Sequence, residues 1–149
     1  PSHSAEPGLF QAKPYVTVKD AFRDLPEPSW KEPASLQGHT LIKHTPEVAK
    51  RFSQLRPGQQ DNIRKRTRLD LSQPSPTLVA GALRAIRSHI HPTEPRELTN
   101  RESARIHSFP DSFYFCGNHP AVGKQIANSV PIPLAYSLAM SIADHLQRS

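Results

Sequence analysis

The chain has 149 residues, 19 Lys+Arg against 13 Asp+Glu, a net charge of +6 and a pI near 9.8. Its apolar share of 36% is low, and sixteen prolines are about twice the usual proportion; proline lacks the donor that helix and sheet ladders need, which excludes a plain bundle or a long regular sheet. One cysteine, Cys116, excludes an internal disulfide framework and a cysteine-based zinc site, and with no signal peptide and no continuous apolar run near ~18 residues the expectation is a cytoplasmic protein that engages no membrane.

Residues 1–14 hold three prolines and few large apolar groups and read as an irregular leader. Thr17 to Leu25 is a short helix candidate, capped by Thr17 and stopped by Pro26 and Pro28. Glu47 to Leu55 places Val48, Phe52 and Leu55 at helical spacing before the Pro57-Gly58 turn signal. Arg66 to Val79 alternates around Leu69, Leu71, Thr77 and Val79, which predicts short strands interrupted at Pro74 and Pro76. Thr99-Asn100-Arg101-Glu102 has the spacing of a capping box. After Pro133, Leu134, Leu138, Ile142 and Leu146 recur every four residues, so the last element is an amphipathic helix whose apolar stripe must pack on something.

The positive charge is concentrated. Between Lys43 and Arg87 lie ten basic residues and three acidic ones, and the densest run is Arg64-Lys65-Arg66-Thr67-Arg68. Such a cluster suits a phosphate backbone, although a solvated basic face has the same composition. Other constellations carry less. Gly117 to Gln125 has the wrong spacing for a phosphate loop, with Gln125 where Ser or Thr is required. His39 with His44, and His89 with His91, lack the spacing and the further ligands of a metal site. Cys116 has no evident base beside it, so a structural thiol is the simpler reading.

Arg96-Glu97-Leu98-Thr99-Asn100-Arg101-Glu102-Ser103-Ala104-Arg105-Ile106-His107-Ser108-Phe109-Pro110-Asp111-Ser112-Phe113 closely resembles the ninth conserved block of DNA (cytosine-5)-methyltransferases, R-x-L-T-x-R-E-x-A-R-x-Q-x-F-P-D-x-F. Gln125-Ile126-Ala127-Asn128-Ser129-Val130-Pro131 resembles the tenth block, Q-I-G-N-A-V-P. Thr17 to Pro26 is similar to the T-V-x-D-A-I-x-D-L-P that follows the eighth block, and Ser75-Pro76-Thr77-Leu78 to the P-S-x-T-[ILV] of the target-recognition domain. Ala127 stands where the family usually has glycine, and His107 where glutamine is commoner. The family's cofactor loop, Pro-Cys nucleophile, Glu-Asn-Val acid and Arg-x-Arg block have no counterpart among these residues.

This resemblance implies an α+β fold: a small recognition domain of short strands and helices at 15–120, then at 121–149 a tenth-block loop and a helix that docks on an α/β catalytic domain. It implies S-adenosylmethionine as cofactor, held mainly by the other half, where a cysteine thiolate attacks cytosine C6 and C5 takes the methyl group. The implied partners are double-stranded DNA and the half that carries the nucleophile. By position, the resemblance assigns Arg64, Arg66, Arg68, Arg84 and Arg87 to DNA contact and Thr77 and Leu78 to support near the flipped base. Asn128, Ser129 and Val130 fall to the methyl-donor pocket, and Thr99, Arg101, Glu102 and Arg105 to organising the recognition domain. A non-catalytic DNA-binding remnant of such an enzyme is the alternative expectation.

Overall fold

Two reciprocal hydrogen bonds open the fold. In the computed structural model, which describes residues 15–31, 35–78 and 89–148, the Asp20 amide donates to the Thr17 hydroxyl at 3.2 Å and the Thr17 amide to the Asp20 carboxylate at 3.0 Å. This capping box starts α1 (Val18–Phe22). The helix ends sooner than the prolines require, because Asp24 turns to a φ of 57°. Helix α2 (Pro46–Ser53) has proline in its first turn and buries Phe52.

The strands expected over Arg66–Val79 form only as single bridges among the described residues. Thr67 pairs antiparallel with Gln60, and Arg68 pairs parallel with Ile90, which also pairs antiparallel with Glu97. Pro74 and Pro76 have no amide donor to extend this pairing. Val79, the end of the expected strand region, lies outside the described residues, as does the 1–14 leader.

Helix α3 (Asn100–Ile106) carries the ninth block and is buried along most of its length. Helix α4 (His119–Asn128) is a second difference from expectation, since the start of the tenth block is helical rather than a loop. Asn118 caps it by accepting from the Ala121 amide at 3.1 Å, and Pro120 sits in its first turn. Ala127 is therefore in helical backbone and is not among the positive-φ residues, so alanine replaces glycine here without strain.

Helices α3 and α4 share one core, built from Leu78, Ala104, Phe115, Val122 and Ile126. Val18, Leu69 and Leu98 form a second cluster, and Ile106 packs against both. Across the expected boundary near residue 120, Val122 and Ile126 of the tenth-block helix share a core with Ala104 of the ninth. Helix α5 (Ile132–Arg148) then leaves this body with no buried residue. Within His119–Arg148 an 18-residue window reaches a mean hydropathy of 1.3, enough by length and composition alone to span a membrane, although no continuous apolar run of that length occurs. Isoleucines, leucines and alanines, interrupted by serines and prolines, produce that average.

Candidate nucleic-acid interface

The basic run folds into a hairpin. The Gly58 amide donates to the Arg68 carbonyl at 2.8 Å, the Arg68 amide to Gln59 at 2.9 Å, and the Asp61 amide to Arg66 at 2.7 Å. The tip, residues 62–65, is exposed. It is closed by Lys65, whose φ is 55° and whose amide returns to the Asp61 carbonyl at 2.9 Å. Asp61 is fully buried, and its carboxylate accepts from the Arg64 amide at 2.7 Å and from Arg51 Nε at 2.6 Å. Burial alone would raise its pKa, but the Arg64 amide and the Arg51 guanidinium outweigh it and hold the group below the ordinary carboxylate value.

The cluster divides into two kinds of cation. Arg64 reaches outward with its side chain about half exposed, and Glu97 lies 3.4 Å away. Lys65 is exposed. Arg66 turns inward onto Glu97; burial, together with the nearby Arg64 charge, brings its pKa down to about 10, so it remains a cation at neutral pH. Arg68 is buried, with Nε on the Pro92 carbonyl at 2.9 Å and Nη1 on Phe52 at 2.8 Å. Arg66 and Arg68, expected at phosphates, are both engaged at the base of the hairpin here. Thr77 is exposed, but Leu78 is a core residue. Arg84 and Arg87 lie outside the described residues.

Behind the hairpin, the ninth block is a network of buried polar bonds. The Glu102 amide donates to the Thr99 hydroxyl at 3.1 Å, and the Thr99 amide to the Glu102 carboxylate at 2.8 Å. Arg96 grips the same carboxylate through both terminal nitrogens, at 2.8 and 2.9 Å. Thr99 also meets buried His39 Nδ1 at 2.9 Å, while His39 Nε2 lies 2.8 Å from the Pro26 carbonyl. A carbonyl only accepts, so Nε2 carries a proton. Arg101 is fully buried and donates to the carbonyls of Gln37, Pro110 and Phe113 at 2.9–3.2 Å. Arg105 clamps Asp111 at 2.9 and 2.5 Å and reaches Asp24 at 2.8 Å. Those hydrogen bonds, to Asp111 first, raise its pKa above the ordinary arginine value.

The tenth block ends in an exposed corner. Asn128 and Val130 are open to solvent. Ser129 is engaged: its hydroxyl donates to the Ile126 carbonyl at 2.6 Å and lies 3.2 Å from His107 Nδ1.

The chain matches the C-5 cytosine-specific DNA methylase profile over residues 10–144. It belongs to the C-5 cytosine-specific DNA methylase family. It is 33% identical over 157 residues to the type II methyltransferase M.NgoFVII of Neisseria gonorrhoeae, a match covering 95% of this chain and 39% of that protein. With the type II methyltransferase M.XorII of Xanthomonas oryzae pv. oryzae it shares 36% identity over 123 residues, covering 78% and 29% respectively. A crystal structure assigned as a DNA modification methyltransferase encoded within an E. coli prophage superposes with a TM-score of 0.64 at 29% identity, over 77% of this chain and 42% of that one. The chain spans less than half the length of these relatives.

The C-5 methylase family uses S-adenosylmethionine, and the Asn128–Val130 corner is chemically compatible with one edge of that molecule. The Asn128 amide offers a donor and an acceptor, and Val130 an apolar surface; the Ser129 hydroxyl is already committed to Ile126. Sequence reasoning missed His39, Asp61 and Gln37 as organisers of this fold. Gln37 donates to the Phe115 carbonyl at 2.7 Å and accepts from the Phe115 amide at 2.9 Å, a partner 78 positions away. No local signal marks such pairs. The start of α4 did carry one, the Asn118-His119-Pro120 cap, which the glycine at 123 obscured.

Proposed function

We propose that this chain is the DNA-recognition part of a cytosine-5 DNA methyltransferase of restriction-modification type, inactive until joined by the half that carries the nucleophilic cysteine. The observation that carries this reading is α5. Leu134, Leu138, Ile142 and Leu146 are all about half exposed or more, and the helix buries no residue in this chain. An apolar stripe of that length needs a second surface. The catalytic motifs of the family are also missing from these residues.

Within this reading the hairpin tip meets duplex DNA, with Arg64 and Lys65 neutralising phosphates and fixing register. Arg84 and Arg87 contact the same DNA, and Thr77 lies near the flipped base with Leu78 fixing it to the core. S-adenosylmethionine, when bound, supplies the methyl group; Asn128 and Val130 form one side of its pocket, with Ser129 holding the corner closed. Thr99, Arg101, Glu102 and Arg105 keep the recognition region rigid, and the assembly acts in the cytoplasm.

Mixing this chain with a polypeptide carrying the family's Pro-Cys, Glu-Asn-Val and cofactor-loop motifs tests the proposal. Labelled methyl groups from S-adenosylmethionine should appear in duplex DNA only when both polypeptides are present. DNA binding without methyl transfer from a folded mixture would favour the remnant instead.

A further inference from the structure

The hairpin tip holds an aliphatic side chain that the fold does not use. Ile63 is 71% exposed, between Asn62 and the cation Arg64. Single exposed apolar residues are ordinary on protein surfaces, but this one sits on a turn that is fixed from beneath. Buried Asp61 holds the Arg64 amide and the Arg51 guanidinium, and the Lys65 amide closes back onto Asp61. Ile63 is β-branched, with few side-chain rotamers to lose when it makes a contact. Neither phosphate nor the polar atoms of a base edge offers it a partner.

Resting on the DNA-recognition reading above, we infer that Ile63 reads the 5-methyl group of a thymine in the major groove and so helps set the target sequence. The major groove admits a two-stranded ribbon, and the thymine methyl is the apolar feature of its base edges, read by apolar side chains. Arg64 and Lys65 follow Ile63 directly on the same exposed tip, so they can neutralise phosphate while it faces the bases. The residue sets specificity and takes no part in the chemistry.

The test begins with the 149-residue chain and a random-sequence duplex pool. Bound duplexes are selected and remade with deoxyuridine at each thymine in turn, which deletes only the methyl group. For the wild type, one such replacement should weaken binding about fourfold, the worth of one buried methyl. Ile63→Ala should weaken binding to the thymine duplex by a similar factor and lose no more on the deoxyuridine duplex. Because Ile63 is exposed, the variant should melt with the wild type. Absence of any deoxyuridine-sensitive position overturns the inference, as do independent losses from the two changes. So does an unfolded Ile63→Ala, which would make the residue structural. Equal losses by Ile63→Ala on both duplexes, with kinked DNA, would identify a wedge between base steps instead. A chain that binds no duplex at all overturns the DNA-recognition reading itself.

Discussion

His107 Nδ1 lies 3.2 Å from Ser129 Oγ, and this contact ties the end of the ninth block to the corner of the tenth. The Ser129 proton goes to the Ile126 carbonyl, so the imidazole is the donor and carries hydrogen on Nδ1. A glutamine amide donates equally well, which accounts physically for the interchange of histidine and glutamine at this position. His107→Gln should therefore keep the melting temperature near that of the wild type. His107→Leu should cost about 1 kcal/mol, the usual net value of one hydrogen bond, and thermal denaturation of the two variants checks it.

Arg101 satisfies three carbonyls from two distant segments while fully buried. Lysine is a point cation and cannot reproduce the planar fork. Arg101→Lys should lose on the order of 2 kcal/mol and Arg101→Met more, because buried acceptors left unpaired cost about 1–3 kcal/mol each. Urea unfolding measures both.

Within the basic run, mutational effects should separate by placement. Arg64→Ala and Lys65→Gly, the latter preserving the left-handed turn, should each reduce the salt slope of DNA binding by about 1 with little change in stability. Arg68→Ala should instead lower the melting temperature, since it strands the Phe52 and Pro92 carbonyls. Binding titrations at several salt concentrations, paired with melting curves, distinguish these outcomes.

Burial pulls His44, His89, His91, His107 and His119 below the ordinary histidine value. Below pH ~6.5 the unfolded chain takes up protons that the folded chain resists. Stability should then fall as pH drops from about 7 to 5. A second loss should follow below pH ~4, where Asp61 and Asp111, held low by their arginine partners, protonate in the fold. Denaturant midpoints across this range test the sign; a midpoint that rises on acidification would contradict it.

Leu138→Ser with Ile142→Ser should leave the stability of this chain unchanged, since α5 buries no residue among the described residues. The same pair should abolish methyl transfer in the mixture with the catalytic half, as read by labelled-methyl incorporation. Loss of stability in the isolated chain would mean that α5 is already packed.

The cap at Thr17 and the capping box at Thr99 were legible in the sequence because the bonded partners lie three residues apart. The amphipathic stripe of α5 was legible for the same local reason. The placements of Arg66 and Arg68 were not, because they depend on Glu97 and on the Phe52 and Pro92 carbonyls, brought close only by folding. The strands failed for a related reason: alternation around Leu69 and Leu71 marks which side chains are buried, but pairing needs a partner edge, and only isolated bridges form there.

Ile106 touches both apolar clusters, one joining α3 to α4 and the other joining α3 to α1. A single side chain that serves two clusters removes the seam along which they could open separately. Amide protons in α1 and in α4, although they lie about a hundred residues apart in sequence, should therefore exchange with solvent through one common opening. Trimming Ile106 to alanine should split that event into two.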